Sequence, residues 1–355
     1  MQAAHARVPS RIDLAGGTID IWPIPHTFAE PGVTVNVAVD IPAYASVEPH
    51  ADGSAAISLV SKDQDRSVDY ADLDALLAAR RDGRCNLPLL SEAVAAVAPP
   101  TGFTLTTIAT GPAGAGLGGS SALLSATLGA LFAAVGSERE PASLQPIGQD
   151  VETRLLGKPT GYQDYYPPLL GGCLSLEGRI GGLHVERLPV DLGALGARLQ
   201  LLYTGAPHDS GLTNWGVVRA YFDGEAQTVS SLQELARISR ALDGALRTGD
   251  LDAALDLVIE DGRVRRQMAP GVTTPLIEAL DRDLRAAGAR GTTVCGAGGG
   301  GCILVILEED TDPAAVAAVV DPSPASALPT TLVETGLQIA SGSAFPWTTP
   351  EYPLA

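Results

Sequence analysis

The stretch "TGPAGAGLGGSSALLSATLGAL", residues 110–131, decides how the rest of the chain is read. It sets glycine, alanine and two serines ahead of an apolar run with helical spacing, which Gly136 ends. Glycine is costly at a helix, because its backbone loses the most freedom on folding. A chain that keeps so many there needs bare backbone. A glycine-rich turn feeding a helix N-terminus presents unpaired N–H groups and the positive end of the helix dipole, which together cradle phosphate. The segment is not a Walker loop, since no Gly-Lys-Ser/Thr follows, and it lacks the context of a dinucleotide fingerprint. The same glycines would also suit a close-packed helix start.

The composition narrows the partners. With 355 residues, 45% of them hydrophobic, the chain can bury a large core and is long enough for two domains. Lys and Arg number 23 against 41 Asp and Glu, a formal net charge of −18, which argues against a nucleic acid or an anionic membrane as partner. Positive potential for an anionic ligand must therefore come from a few local groups. Cys85, Cys173, Cys295 and Cys302 form no C-x-x-C pair, so neither a disulfide framework nor a zinc site is expected. A reducing cytoplasmic compartment fits. The N-terminus "MQAAHARVPSRIDL" has no apolar core of a signal peptide, and the aliphatic run "CILVIL" at 302–307 is too short to span a bilayer.

Strand-like text dominates the first half, with β-branched runs at "GVTVNVAVDIPAYASVEP" (32–49) and "GFTLTTIAT" (102–110) around a helical "NLPLLSEAVAAVAP" (86–99). A helix over 144–156 stops at Gly157, with Pro159 beyond it. The looser "LPVDLGALGA" (188–197) marks a boundary between a first domain, 1–195, and a second, 196–355. The second half is helix-rich, with strands at "RLQLLYTG" (198–205) and "CILVILEE" (302–309), and the end "FPWTTPEYPLA" reads as an irregular tail.

Two further segments carry chemistry. "VCGAGGGGCILVIL" (294–307) sets five glycines in six positions before a buried-type strand, a poor structural element and a suitable backbone loop around a ligand or a hinge. "RVPSRIDLAGGTID" (7–20) places Arg11, Asp13 and Asp20 around a Gly-Gly turn. The order and spacing of the three segments resemble those of the GHMP kinase superfamily, of which "RVPSRIDLAGGTID" is similar to the first motif, "GPAGAGLGGSSALLSA" to the second and "CGAGGGGCILVI" to the third. "GYQDYY" (161–166) and "YTG" (203–205) resemble the sugar-kinase branch that includes heptose-phosphate kinases, fucokinases and galactokinases.

The resemblance implies an α+β, two-domain fold, with a ribosomal protein S5 domain 2-like nucleotide-binding domain and a ferredoxin-like C-terminal domain flanking the active site. It implies ATP and Mg2+ as cofactors and a small-molecule sugar or sugar phosphate as the acceptor partner, with a monomer or homodimer as the assembly. Gly111, Pro112, Gly114, Gly116, Leu117, Gly118, Gly119, Ser120 and Ser121 would wrap the ATP phosphates. Ser120 is the implied magnesium ligand, with Ser121 the alternative because "GLGGSSA" holds one more small residue than the usual form, and Glu152 is the implied metal carboxylate. Asp164 would sit beside the acceptor hydroxyl and accept its proton; read bare, it is also an ordinary N-cap. Pro167 and Pro168 depart from the family pattern there. Arg11 would stand close to Asp164 and the transferring phosphate, where a cation favours charged carboxylate and neutralises developing charge. Asp20, with Gly16, Gly17 and Thr18, would shape the acceptor pocket, joined by Gly298 and Gly299 from the second glycine cluster, with His208, Asp209 and Ser210 as weaker candidates from the other domain. Lys158 or Arg219 could clamp a phosphate on the acceptor. A mevalonate-pathway kinase and a catalytically silent sensor of sugar or nucleotide are the alternatives, since a fold outlives its function.

Overall fold

The computed structural model describes residues 1–137, 139–207, 210–268 and 271–348, with the side chains of 210–214 outside the description. In the first half the elements run β1 (Ala4–Ala15), β2 (Val33–Pro49), β3 (Ile57–Ser61), β4 (Arg66–Tyr70), α1 (Leu73–Arg81), α2 (Pro88–Val97), β5 (Phe103–Ala109), α3 (Gly119–Ala134), α4 (Leu144–Leu156), α5 (Tyr166–Leu170), β6 (Cys173–Arg179) and β7 (Gly182–Arg187). The second half adds α6 (Leu192–Ala197), β8 (Leu199–Tyr203), α7 (Ser210–Phe222), α8 (Ala226–Thr248), α9 (Leu251–Met268), α10 (Pro275–Ala286), β9 (Ala289–Val294), β10 (Cys302–Leu307), α11 (Pro313–Val320), β11 (Ser326–Leu328) and β12 (Gln338–Ser341). The class is α+β, as the sequence predicts.

Among the described residues the first sheet has the strand order β12-β1-β2-β5-β3-β4, with β6 paired to β2 and β7 to β6. The long β2 is its spine: its first residues pair with β6 and its last with β5, while β1 runs antiparallel along most of it. A second sheet has the order β11-β8-β10-β9.

The helix that opened the sequence analysis is the centre of the first core. In α3, 14 of the 16 residues are buried, from Ser121 through Ala134, and it packs against β1, β2, α2 and α4. A helix apolar on every face has no solvent side, and each leucine it buries contributes about 1.5–3 kcal/mol. Gly129 in its middle lets Leu337 approach, since a Cβ there would stand 2.9 Å from Leu337 Cδ1. The helix α4 ends as its sequence predicts, on Gly157 in the left-handed region at φ 61°.

A second core joins Ile12, Leu14 and the start of β2 to Leu242, Leu255 and Val258 of α8 and α9 and to Leu201 and Leu304 of the second sheet. Apolar burial therefore runs without a break from one sheet to the other. After β11 the chain returns to the first sheet: Val39 bridges Leu332, β12 pairs with β1, and Phe345 and Trp347 set their rings 5.7 and 6.2 Å from that of Tyr44. Residues 345–348 form no regular element, as expected of the tail. Cys85, Cys173, Cys295 and Cys302 are all free thiols, and among the described residues no helix is long and apolar enough to cross a membrane.

Candidate active site

The first glycine cluster turns sharply in front of α3. Gly114, Gly116 and Gly118 take φ of +67°, +75° and +70°, which a side chain would resist. Gly118 is the N-cap of α3 and no side chain caps that end. The second glycine cluster, in the turn between β9 and β10, lies against the first. Cys302 donates its N–H to the Ala115 carbonyl at 2.8 Å, and a Cβ on Gly116 would come within 2.4 Å of the Cys295 carbonyl oxygen. Both clusters are thus glycine-rich for the same reason: two backbones touch there.

The loops form one wall of a cleft of about 980 Å³, which all of residues 111–121 line. Arg11, Glu152 and Asp164 line it as well, so the nucleotide-loop, metal and catalytic residues implied by the resemblance converge on one space. Of the expected acceptor residues, Gly17 and Thr18 line it. Gly16 and Asp20 lie behind it, and Asp20, 1% exposed, accepts the backbone N–H of Gln163 at 2.9 Å. Gly298 and Gly299 do not line it either: the Gly299 N–H donates to the Val272 carbonyl at 2.7 Å and a Cβ on Gly298 would stand 2.2 Å from the same oxygen. Their neighbours Gly296 and Ala297 line the cleft instead. His208 and Asp209, with the side chain of Ser210, fall outside the described residues. Lys158 lines the cleft, and Arg219, on α7, does not.

The reactive pair is made by β1 and the segment before α5. Arg11, buried on β1, donates from Nε to Asp164 Oδ1 at 2.7 Å, with Nη2 2.5 Å from the same oxygen, and from Nη1 to the Gly116 carbonyl at 2.6 Å. Burial works against the charge of Arg11, but Asp164 and Asp13 together outweigh it and raise its pKa. The N-cap reading of Asp164 is not realised: Tyr165 holds that position, without a side-chain cap, and Pro167 and Pro168 sit in the first turn of α5. The Asp164 carboxylate is left to the cleft, its side chain 35% exposed.

Glu152 sits one turn from the end of α4, where it accepts hydrogen bonds from Ser121 Oγ at 2.9 Å and from the Tyr165 hydroxyl. Burial raises its carboxyl above the ordinary range, against the opposing hydrogen bond from Tyr165. Ser121 is buried and turned to Glu152, whereas Ser120 is exposed at the mouth of α3. A hydroxyl and a carboxylate are the hard oxygens magnesium takes, and a nucleotide-bound magnesium asks for only one or two carboxylates from protein. Among the described residues no three His, Cys, Asp or Glu side chains converge on a metal position. The donor set fits the ion.

Asp13, Arg265, Asp261 and Gln163, to which the sequence assigns no role, are brought here by the fold. Arg265, on α9, donates to Asp13 Oδ2 at 2.5 Å and to the Gly296 carbonyl at 3.1 Å, and its Nε stands 2.6 Å from Asp261 Oδ2. The pair runs so close to the Gly-Gly turn that a Cβ on Gly17 would meet Asp13 Oδ2 at 2.1 Å. The i, i+4 spacing of Asp261 and Arg265 was the legible signal. Gln163 and Thr18 complete the wall, and Thr18 holds a φ of +80°, a strained value for a β-branched residue and one that clusters at functional sites.

The family model for the GHMP kinases N terminal domain matches residues 87–172, and that for the GHMP kinases C terminal domain matches residues 233–324, together half of the chain. No curated protein sequence matches it. Among solved structures, a putative sugar kinase from Campylobacter jejuni is 18% identical at a TM-score of 0.73, covering 96% of this chain and 99% of its own. A Lactococcus lactis galactokinase complexed with galactose is 19% identical at 0.73 and covers 95% of each chain. The Methanococcus jannaschii mevalonate kinase is 15% identical at 0.73, covering 93% of this chain and 98% of its own. Identities this low show the shared two-domain fold and leave the acceptor open, but with both family models matched around one cleft, the chain belongs to the GHMP kinase family of small-molecule kinases.

Proposed function

We propose that the chain is an ATP- and magnesium-dependent kinase that transfers the γ-phosphoryl group to a hydroxyl of a sugar or sugar phosphate. The observation that carries this reading is the Arg11–Asp164 pair, set in one cleft with the uncapped N-terminus of α3 and with Glu152. The bare backbone of residues 111–121 and the dipole of α3 favour the phosphate chain. Ser121 or Ser120, with Glu152, would hold magnesium, which when bound neutralises phosphate charge. Asp164 accepts the proton of the attacking hydroxyl, while Arg11 offsets charge that builds on the transferring phosphoryl oxygens. Asp20 acts as a positioning residue: by accepting the Gln163 N–H it fixes the backbone that carries Asp164 one residue on. Phosphoryl transfer has a loose transition state, so placing these groups does most of the work.

The test is ADP release with ATP and magnesium on sugars, sugar phosphates and mevalonate, run beside Asp164→Ala. Turnover on a sugar-type acceptor that falls by roughly 10²–10⁴-fold in the variant is the expected result. Turnover on mevalonate alone would replace the acceptor assignment, and ATP binding with no turnover on any acceptor would favour the sensor.

A further inference from the structure

Two independent features of the acceptor end of the cleft bear on which sugar-type acceptor it takes. The first is how its cations are engaged. Arg11 directs Nε and Nη2 at Asp164 and Nη1 at the Gly116 carbonyl, and Arg265 donates from Nη2 to Asp13 and from Nη1 to the Gly296 carbonyl, while its Nε lies 2.6 Å from Asp261 Oδ2 in an ion pair without a hydrogen bond. Recognition of a phosphate or carboxylate by arginine needs the open fork of the guanidinium, and both forks are already turned to protein oxygens. Around these two arginines stand four buried or half-buried acids, Asp13, Asp20, Asp164 and Asp261. A second dianion brought among them meets like charge at low dielectric, where screening is weak. The third cation of the wall, Lys158, lies just past α4, the helix that carries Glu152.

The second feature is a pair of orphaned acceptor atoms. Asp13 Oδ1 and Gln163 Oε1 are buried without a hydrogen-bond partner, in residues that are 4% and 7% exposed and that line the cleft together with Arg11 and Asp164. A buried acceptor left unpaired is costly, and native structures rarely keep one without a use. Asp13 Oδ1 belongs to a carboxylate, so it takes a donor and repels an anionic oxygen. Gln163 suits a hydroxyl whichever way its amide is turned, because a hydroxyl both donates and accepts.

We propose that the acceptor is an uncharged polyol, two of whose hydroxyls are held by Asp13 Oδ1 and the Gln163 side-chain amide; this rests on the kinase reading above and selects within it against a phosphorylated or carboxylate acceptor. The glycines on both flanks serve the same purpose. Gly17 makes room for Asp13 and Arg265, and Gly161 for Asp20, against which a Cβ would stand at 1.9 Å.

The experiment uses the full chain with ATP and magnesium on two matched sets of acceptors: neutral aldohexoses and aldoheptoses, and their terminal monophosphates, with mevalonate as the carboxylate. A neutral sugar is expected to exceed its own phosphate by about 100-fold or more in kcat/KM, the scale set by a desolvated charge with no partner. The monodeoxy series of that sugar is then run on the wild type and on Gln163→Leu. Loss of either held hydroxyl costs the wild type about 10- to 100-fold. In Gln163→Leu the penalty for one deoxy position disappears while the other persists, an outcome that a merely structural Gln163 would not give. The wild-type deoxy series stands even if the variant fails to fold. Turnover confined to phosphorylated sugars or mevalonate leaves the kinase and overturns this inference. Uniform deoxy penalties overturn the two-residue assignment, and absence of turnover on both sets removes the kinase reading and the inference together.

Discussion

Asp20 shows what burial does to a single carboxylate in this site. Its exclusion from water, 1% exposed, raises the pKa to about 7, although the Gln163 N–H pulls the other way. An unfolded chain releases that proton near the ordinary 3.8, so between 3.8 and about 7 the folded state binds more protons than the unfolded one. The stabilisation this gives is complete below 3.8, declines as pH rises through the window and is gone above it. Asp20→Asn keeps an oxygen for the Gln163 N–H and cannot ionise. Across pH 4 to 7 the stability of the variant relative to the wild type, measured by urea unfolding, should therefore rise by up to roughly 1.4 kcal/mol per pH unit; a difference that is flat with pH would refute the assignment. At this scale the sequence was informative about kinds of residue and less so about facing. The segment 7–20 displayed Arg11 and Asp20 alike, yet β1 turns Arg11 to the cleft, while Asp20, past the Gly-Gly turn, is carried behind it. Asp13 was equally visible and had no assignable role, because its partner Arg265 is 252 positions away.

Elements were legible where one segment alone determines them. The caps and spacing of α3 and α4 fall where the glycines place them, since capping and helical periodicity are local matters. What local text does not carry is the return of β12 to the edge of β1, a pairing of residues more than 300 positions apart. Nor does it reveal why Gly148 lies inside α4, where alanine would ordinarily be preferred by about 1 kcal/mol. The packing supplies the reason: a Cβ on Gly148 would stand 2.4 Å from Tyr165 Cε1, and that ring holds its hydroxyl on Glu152. Gly148→Ala is thus expected to lower stability by about 1–3 kcal/mol through overpacking and to reduce kcat more than KM by moving Tyr165 off Glu152. Gly244→Ala is the control on α8, where nothing lies within 4 Å, and should raise stability by roughly 0.5–1 kcal/mol. Thermal unfolding of both variants with steady-state kinetics checks the pair, and a Gly148→Ala protein as stable and active as the wild type would refute the packing argument.

Across the whole molecule, the site is placed where the two sheets share both a core and a charge network. The apolar cluster from Ile12 to Leu304 joins them without regard to polarity, so it resists separation but does not fix register. The Asp13–Arg265–Asp261 triad adds direction: one guanidinium from α9 must meet a carboxylate on β1, while Asp261 also accepts the Gly16 N–H at 2.9 Å. Arg265 is held strongly protonated by the two aspartates despite its burial. A paired buried network is not in itself a large source of stability, but removing one partner strands the others without water. Arg265→Met therefore leaves two buried carboxylates unpaired and should cost about 3–5 kcal/mol. Because the core is continuous, the loss should appear as a downward shift of one common transition, seen together by circular dichroism and by calorimetry. The triple variant Asp13→Asn, Asp261→Asn, Arg265→Met removes the stranded charges and should recover part of that loss while turnover stays low, since the Gly17 and Thr18 wall rests on the triad. A separate early transition for the second half would show instead that the halves are held by the triad alone, and an unchanged midpoint would show that the triad holds nothing.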